Sequence, residues 1–144
     1  MFLEQARAEI SAAPVVLEAE CDLVALEGAW DRSSEVLDRS RSLAERGELL
    51  GLPCFADRLE GRAALASGRA DEAVRLLSRA SAGFDRIGAR WERAVTNLDL
   101  AEALLAAGDP GRARPALDMA LPVLEELSSL REIERARELA KELD

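Results

Sequence analysis

The sequence has no histidine and no tyrosine, two cysteines, and five aromatic residues in all, Phe2, Phe55, Phe84, Trp30 and Trp91, among 144 residues. Without histidine the chain cannot assemble a Cys/His zinc site, and Cys21 and Cys54, 33 residues apart, read as small buried hydrophobes in a reduced protein. Its serines and cysteines have no recognisable base partner, so the usual nucleophile arrangements are not indicated. Carboxylates are plentiful, but on helices they more commonly form solvated faces and ion pairs one turn apart than acid–base pairs. No phosphate-binding loop is present: the run Gly108, Asp109, Pro110, Gly111, Arg112 lacks the Lys-Ser/Thr ending and the preceding strand, and reads as a turn between helices. No apolar run approaches a membrane span, and Met1, Phe2, Leu3, Glu4 do not begin a basic-then-apolar secretory leader. The expectation is a cytoplasmic protein with no enzyme activity, no catalytic residue, no cofactor and no bound metal.

Positive charge is also scarce. The formal net charge is −9, and Lys141 is the only lysine, which argues against direct nucleic-acid binding, because phosphate affinity needs clustered cations. The charge is uneven. Residues 1–50 carry 5 basic and 11 acidic groups, 51–100 carry 8 and 7, and 101–144 carry 6 and 10. The middle of the chain is therefore close to neutral between acidic ends.

Alanine, leucine, glutamate and arginine dominate, and β-branched and aromatic residues are few, a composition that favours an all-α fold packed through small side chains. A period of 40 residues organises the chain. Gly28, Gly68 and Gly108 are 40 apart, and columns in the same register hold Cys21/Gly61/Ala101, Ser33/Ala73/Ala113, Leu37/Leu77/Leu117 and Ser40/Ala80/Ala120. Small residues at fixed places allow two helices to approach closely, and each helical hairpin leaves an apolar face for its neighbour to cover. The glycine ends the first helix of each pair, and Asp31, Asp71 and Asp109 stand near the start of the second, where a carboxylate caps free amides. Helices are expected at about 2–11, 14–28, 31–48, 53–67, 70–87, 90–107, 110–127 and 130–143, with short loops making neighbours antiparallel.

The order small residue, glycine, small residue, Leu, small residue over about 14–127 resembles the tetratricopeptide pattern. Cys21, Gly61 and Ala101 match its first small position, Ser33, Ala73 and Ala113 its second, and Ser40, Ala80 and Ala120 its third; Trp30 matches an aromatic that follows the glycine. The 40-residue period, against the usual 34, and the lack of a regular turn proline depart from the family. Long helices of this kind resemble the arrays in bacterial LuxR-type regulatory ATPases and cyclase-linked signalling proteins. The resemblance implies one domain, a right-handed superhelical stack of antiparallel helix hairpins: 1–13 ending a preceding repeat, 14–53, 54–93 and 94–129 as repeats, and 130–144 as a polar capping helix.

The resemblance also implies a concave face lined by the first helix of each pair. The partner would be a protein or peptide, or a small-molecule effector of a larger regulator. Family register puts Glu18 and Asp22, Arg58 and Arg62, and Leu98 and Glu102 at equivalent inward positions. Arg58 and Arg62, one turn apart, either converge on a carboxylate-bearing partner or pair with acidic neighbours inside the protein. Trp30, Trp91, Phe55 and Phe84 read first as packing residues, with one face of Trp91 left accessible at a helix start.

Overall fold

A computed structural model describes the backbone of residues 2–45 and 51–144 and the side chains of residues 14–45 and 51–144. The described chain is all-helical. Its elements are α1 (Phe2–Glu27), a 3₁₀ turn (Trp30–Arg32), α2 (Ser33–Glu45), α3 (Leu52–Ala66), α4 (Ala70–Arg86), α5 (Arg90–Ala106), α6 (Pro110–Glu126) and α7 (Leu130–Leu143). Among the described residues there is no strand, and no helix is long and apolar enough to cross a membrane.

From α3 onward the helix limits follow the sequence expectation closely, but the two helices expected at 2–11 and 14–28 are one. Pro14 lies inside α1 without ending it: a proline removes a single backbone hydrogen bond and strains the preceding turn, and helix resumes on both sides of it. The helix expected at 31–48 opens instead with the 3₁₀ turn, and its last positions lie outside the described residues.

The punctuation is more regular than the 40-residue period suggested. Residues with left-handed backbone fall at Gly28, Gly68, Gly88, Gly108 and Ser128, the last four spaced by 20. In each case the amide of the next residue bonds back to a carbonyl five positions earlier, as in Arg69 to Ala64 (2.9 Å) and Asp109 to Leu104 (2.8 Å), which satisfies carbonyls that the helix end leaves unpaired. Ser128 makes this turn without glycine's freedom, at φ 54°. Of the three expected caps only Asp109 acts as one, accepting from the Arg112 amide at 3.2 Å. Asp71 lies within the first turn of α4, and Asp31 within the 3₁₀ turn, where each complements the helix dipole instead.

Each helix packs on the helices before and after it, and α1, α3, α5 and α7 also touch side by side. The small columns sit at these contacts. Cys21, Ser40, Ala73, Ala80, Ala101, Ala113 and Ala120 are all at most 1 % exposed. Gly61 lies where an added Cβ would fall 2.7 Å from Leu77 Cγ, and Gly83, outside the repeat columns, makes room for Cys54, whose Sγ would be 2.5 Å from such a Cβ. Both cysteines are buried and unbridged. The largest apolar cluster joins α5, α6 and α7 through Leu98, Leu104, Leu117, Leu124, Ile133 and Leu139.

Candidate functional site

Along one side of α1, α3, α5 and α7 runs an open groove with a volume of about 870 Å³. Its apolar wall is built from Leu23, Leu26, Trp30, Leu65, Trp91 and Val95. Trp91 stands in the first turn of α5, where its indole Nε1 donates to Ser129 Oγ at 3.0 Å while over a third of the side chain stays exposed. That bond fixes the ring and leaves a face free, which suits an aromatic anchor. Trp30 is partly buried against the cluster around Cys21 and Val24.

Beneath the wall lies a connected set of charges, centred on a guanidinium that the fold has swallowed. Arg58 is 1 % exposed. Its Nη2 is 2.8 Å from Asp22 Oδ1 and 2.6 Å from Glu92 Oε2, the latter an ion-pair contact out of line for a hydrogen bond. Its Nη1 donates to Thr96 Oγ1 at 3.2 Å and to the Glu92 carbonyl at 3.3 Å. Its Cζ lies 5.0 Å from the ring centres of both Phe55 and Phe84, which themselves meet edge to face at 5.2 Å. Burial works against the cation here, but Asp22, Glu92 and Asp99 outweigh it and hold the proton more firmly than usual. Arg58 thus ties α1, α3, α4 and α5 together.

The chain of charges continues outward. Arg62 Nε donates to Asp99 Oδ2 at 2.7 Å, Asp99 Oδ1 accepts from Arg135 at 2.9 Å, and Arg135 also reaches Glu102 at 2.7 Å. Asp99 is 4 % exposed and has a guanidinium on each oxygen, so its burial is fully compensated. The network holds four carboxylates, Asp22, Glu92, Asp99 and Glu102, against three arginines. The groove floor therefore carries no surplus of positive charge.

Of the residues singled out from sequence, Asp22, Arg58, Arg62 and Glu102 line the groove and Glu18 and Leu98 do not. Leu98 is fully buried in the α5–α7 core. In the column Glu18/Arg58/Leu98 only Arg58 reaches the groove, from a side chain enclosed between helices, whereas the whole column Asp22/Arg62/Glu102 lines it. Between the two readings left open for the arginine pair, internal pairing is what the side chains do. Sequence reasoning passed over Asp99, Glu92, Thr96 and Arg135. A signal for Asp99 was present, since it lies three residues before Glu102 on the same face of α5; Arg135 was legible only as part of the polar capping helix.

Glu18 sits beside this network with no guanidinium partner among the described residues, and burial followed by the charges of Glu92 and Asp22 raises its pKa. A carboxyl raised in the folded state takes up its proton more readily there than in the unfolded chain, so its ionisation weakens the fold: the cost is absent at acid pH and appears as pH rises through the folded-state value. Glu18→Gln is expected to leave the melting temperature unchanged in acid and to raise it toward neutral pH. Parallel melts of the two proteins across that range test this, and a constant difference at every pH would show that Glu18 titrates normally.

Compared with models of known families, with curated proteins and with solved structures, the chain finds no match. The functional reading rests on the groove itself. Among the described residues no cluster of His, Cys, Asp or Glu is arranged to hold a metal ion.

Proposed function

We propose that the chain is a non-catalytic scaffold that binds a protein or peptide segment in this groove, the concave side of a right-handed, tetratricopeptide-like superhelical stack of antiparallel hairpins. The stack is supported by the buried small columns, by the regular helix–turn spacing and by the side-by-side contact of α1, α3, α5 and α7. The observation that carries the binding role is the composition of the groove: exposed Leu23, Leu26 and Trp91 above a floor in which Asp22, Arg58, Arg62, Asp99, Glu102 and Arg135 are already ion-paired. A surface with paired charges and bare apolar side chains gains from covering the latter without having to desolvate unpaired ions. A second reading, a small-molecule effector held in the groove of a larger regulator, draws on its volume, which falls in the range of about 300 to 1,000 Å³ usual for ligand sites.

Immobilised chain would be used to recover a partner from lysate of its source, and the purified partner then titrated against variants. Trp91→Ala is expected to weaken binding about 30-fold, the loss of an aromatic anchor worth roughly 2 kcal/mol. Arg112→Glu, on an exposed turn away from the groove, is expected to leave affinity unchanged. Equal affinity of parent and Trp91→Ala would remove the groove from consideration.

A further inference from the structure

The outer face of α1 is unlike any other surface of the protein. Among the described residues, four of the nine large hydrophobic side chains that stand exposed lie on it: Val15 (68 %), Val16 (46 %), Leu23 (45 %) and Leu26 (66 %). With Ala19, also exposed, they fall within an arc of about 100° when each residue advances about 100° around the helix, and they cover about 16 Å of its length. Leu17, Cys21 and Val24 occupy the opposite, buried side. The same projection puts Glu18 and Asp22 along one margin of the stripe and Glu20 and Glu27 along the other. No basic residue occurs between Pro14 and Glu27. Asp22 is held by Arg58 and Arg62 and Glu20 by Arg39, whereas Glu18 and Glu27 make no ion pair with any of the described residues.

An apolar stripe with acidic margins on both sides specifies its own complement. We infer that α1 docks a basic amphipathic helix, one that presents an apolar stripe of similar width edged by lysine or arginine. Side chains at i, i+4, i+8 and i+11 on α1 match the spacing with which a partner helix offers its anchors. Charge decides among occupants. A second copy of α1 laid on the first would bring carboxylate margins together on two chains that each carry a net charge of −9, a repulsion that like-charge contacts do not repay. An anionic membrane surface meets the same obstacle. A helix with basic margins meets the exposed Glu27 on one edge and the partly exposed Glu18 on the other, beside Glu20 and Asp22, which already share arginines, with burial between them.

Leu23 and Leu26 belong also to the groove wall, so this inference rests in part on the groove being a binding surface. The probe is a synthetic helical peptide of about five turns with a leucine stripe and Lys/Arg margins. Two controls keep one feature each: the same stripe with glutamate margins, and the same basic margins around a serine stripe. Titrated by calorimetry, the first peptide is expected to bind at least about ten-fold tighter than either control, and Leu23→Ser/Leu26→Ser is expected to remove about ten-fold of its affinity. Both leucines are exposed, so the variant's melt is expected to match the parent's and binding loss is not unfolding. Equal binding of the serine-stripe peptide reduces the effect to bulk charge and overturns the inference. So does indifference to the double variant, or sedimentation of the free chain as a dimer that the variant dissociates. If the recovered partner still depends on Trp91 while the basic peptide fails to bind, the occupant of α1 is wrong and the groove reading stands; if both fail, the groove reading falls with it.

Discussion

Arg58→Met is expected to lower the unfolding free energy by about 3 to 5 kcal/mol, the cost typical of removing one member of a buried ion pair and leaving the other behind. The reason is geometric. The guanidinium is fully enclosed, set against the edge-to-face pair Phe55 and Phe84 and facing carboxylates from two other helices. Methionine fills much of the volume but leaves Glu92 beside Asp22 with the charge that separated them gone. Asp22 keeps Arg62 at 3.6 Å and is partly open to water. Glu92 is the more enclosed of the two and loses the one cation it pairs with among the described residues. Most of the penalty should therefore reside on Glu92, and Arg58→Met/Glu92→Gln is expected to recover a measurable part of it. Arg90→Met, which breaks a fully exposed pair with Glu126, is expected to leave the unfolding midpoint almost unchanged, because solvent screens such pairs. Urea titrations of the four proteins decide the matter. A midpoint shift for Arg58→Met no larger than for Arg90→Met would mean that the buried guanidinium stabilises little beyond what its packing supplies.

The same residue shows where the sequence was readable and where it was not. The columns of small residues announced the helix contacts because close approach leaves room for little else, and Ala73, Ala80, Ala113 and Ala120 are buried as those columns required. The turns were half read: Gly68 and Gly108 marked the 40-residue period, while Gly88 and Ser128 occupy the same backbone conformation midway. Their spacing of 20 could have been found from Gly88 alone; nothing in Ser128's identity announces a left-handed residue. Arg58 was legible as a special position and not as a buried one. Arginine is so seldom enclosed that pairing with acidic neighbours, one of the two readings open for it, did not imply burial, whereas the better guide was Leu98, 40 residues on, which is core. The enclosure depends on Asp22, Glu92, Thr96 and two phenylalanines arriving from four helices, a coincidence that no local pattern records. Pro14 misled for the opposite reason. Its local cost is real, and α1 continues through it.

Gly61 carries the other large expectation, because its column admits a methyl group elsewhere but not here. Cys21 and Ala101 hold the equivalent positions and are each buried with side chains in place. At Gly61 the site of a Cβ is 2.7 Å from Leu77 Cγ, 2.9 Å from its Cδ2 and 3.3 Å from Leu76 Cβ. These are branch and stem carbons of two fully buried leucines on α4, so relief requires α3 and α4 to separate and not a side chain to swing aside. Two effects oppose each other in Gly61→Ala. A methyl in mid-helix gains about 1 kcal/mol in helix propensity, and overpacking costs about 1 to 3 kcal/mol. The contact distances place the substitution toward the costly end, and a modest net loss of about 1 to 2 kcal/mol is expected. Gly61→Val adds two more carbons and recovers little propensity, since β-branching restricts its rotamers against the preceding turn. Its loss is expected to be about 3 kcal/mol. Leu77→Ala removes the atoms in the way, so the Gly61→Val/Leu77→Ala pair is expected to be more stable than the sum of the single losses, a positive coupling that a double-mutant cycle reads directly. Additive losses in that cycle would show that Gly61 is kept for some reason other than the approach of α3 to α4 at Leu77.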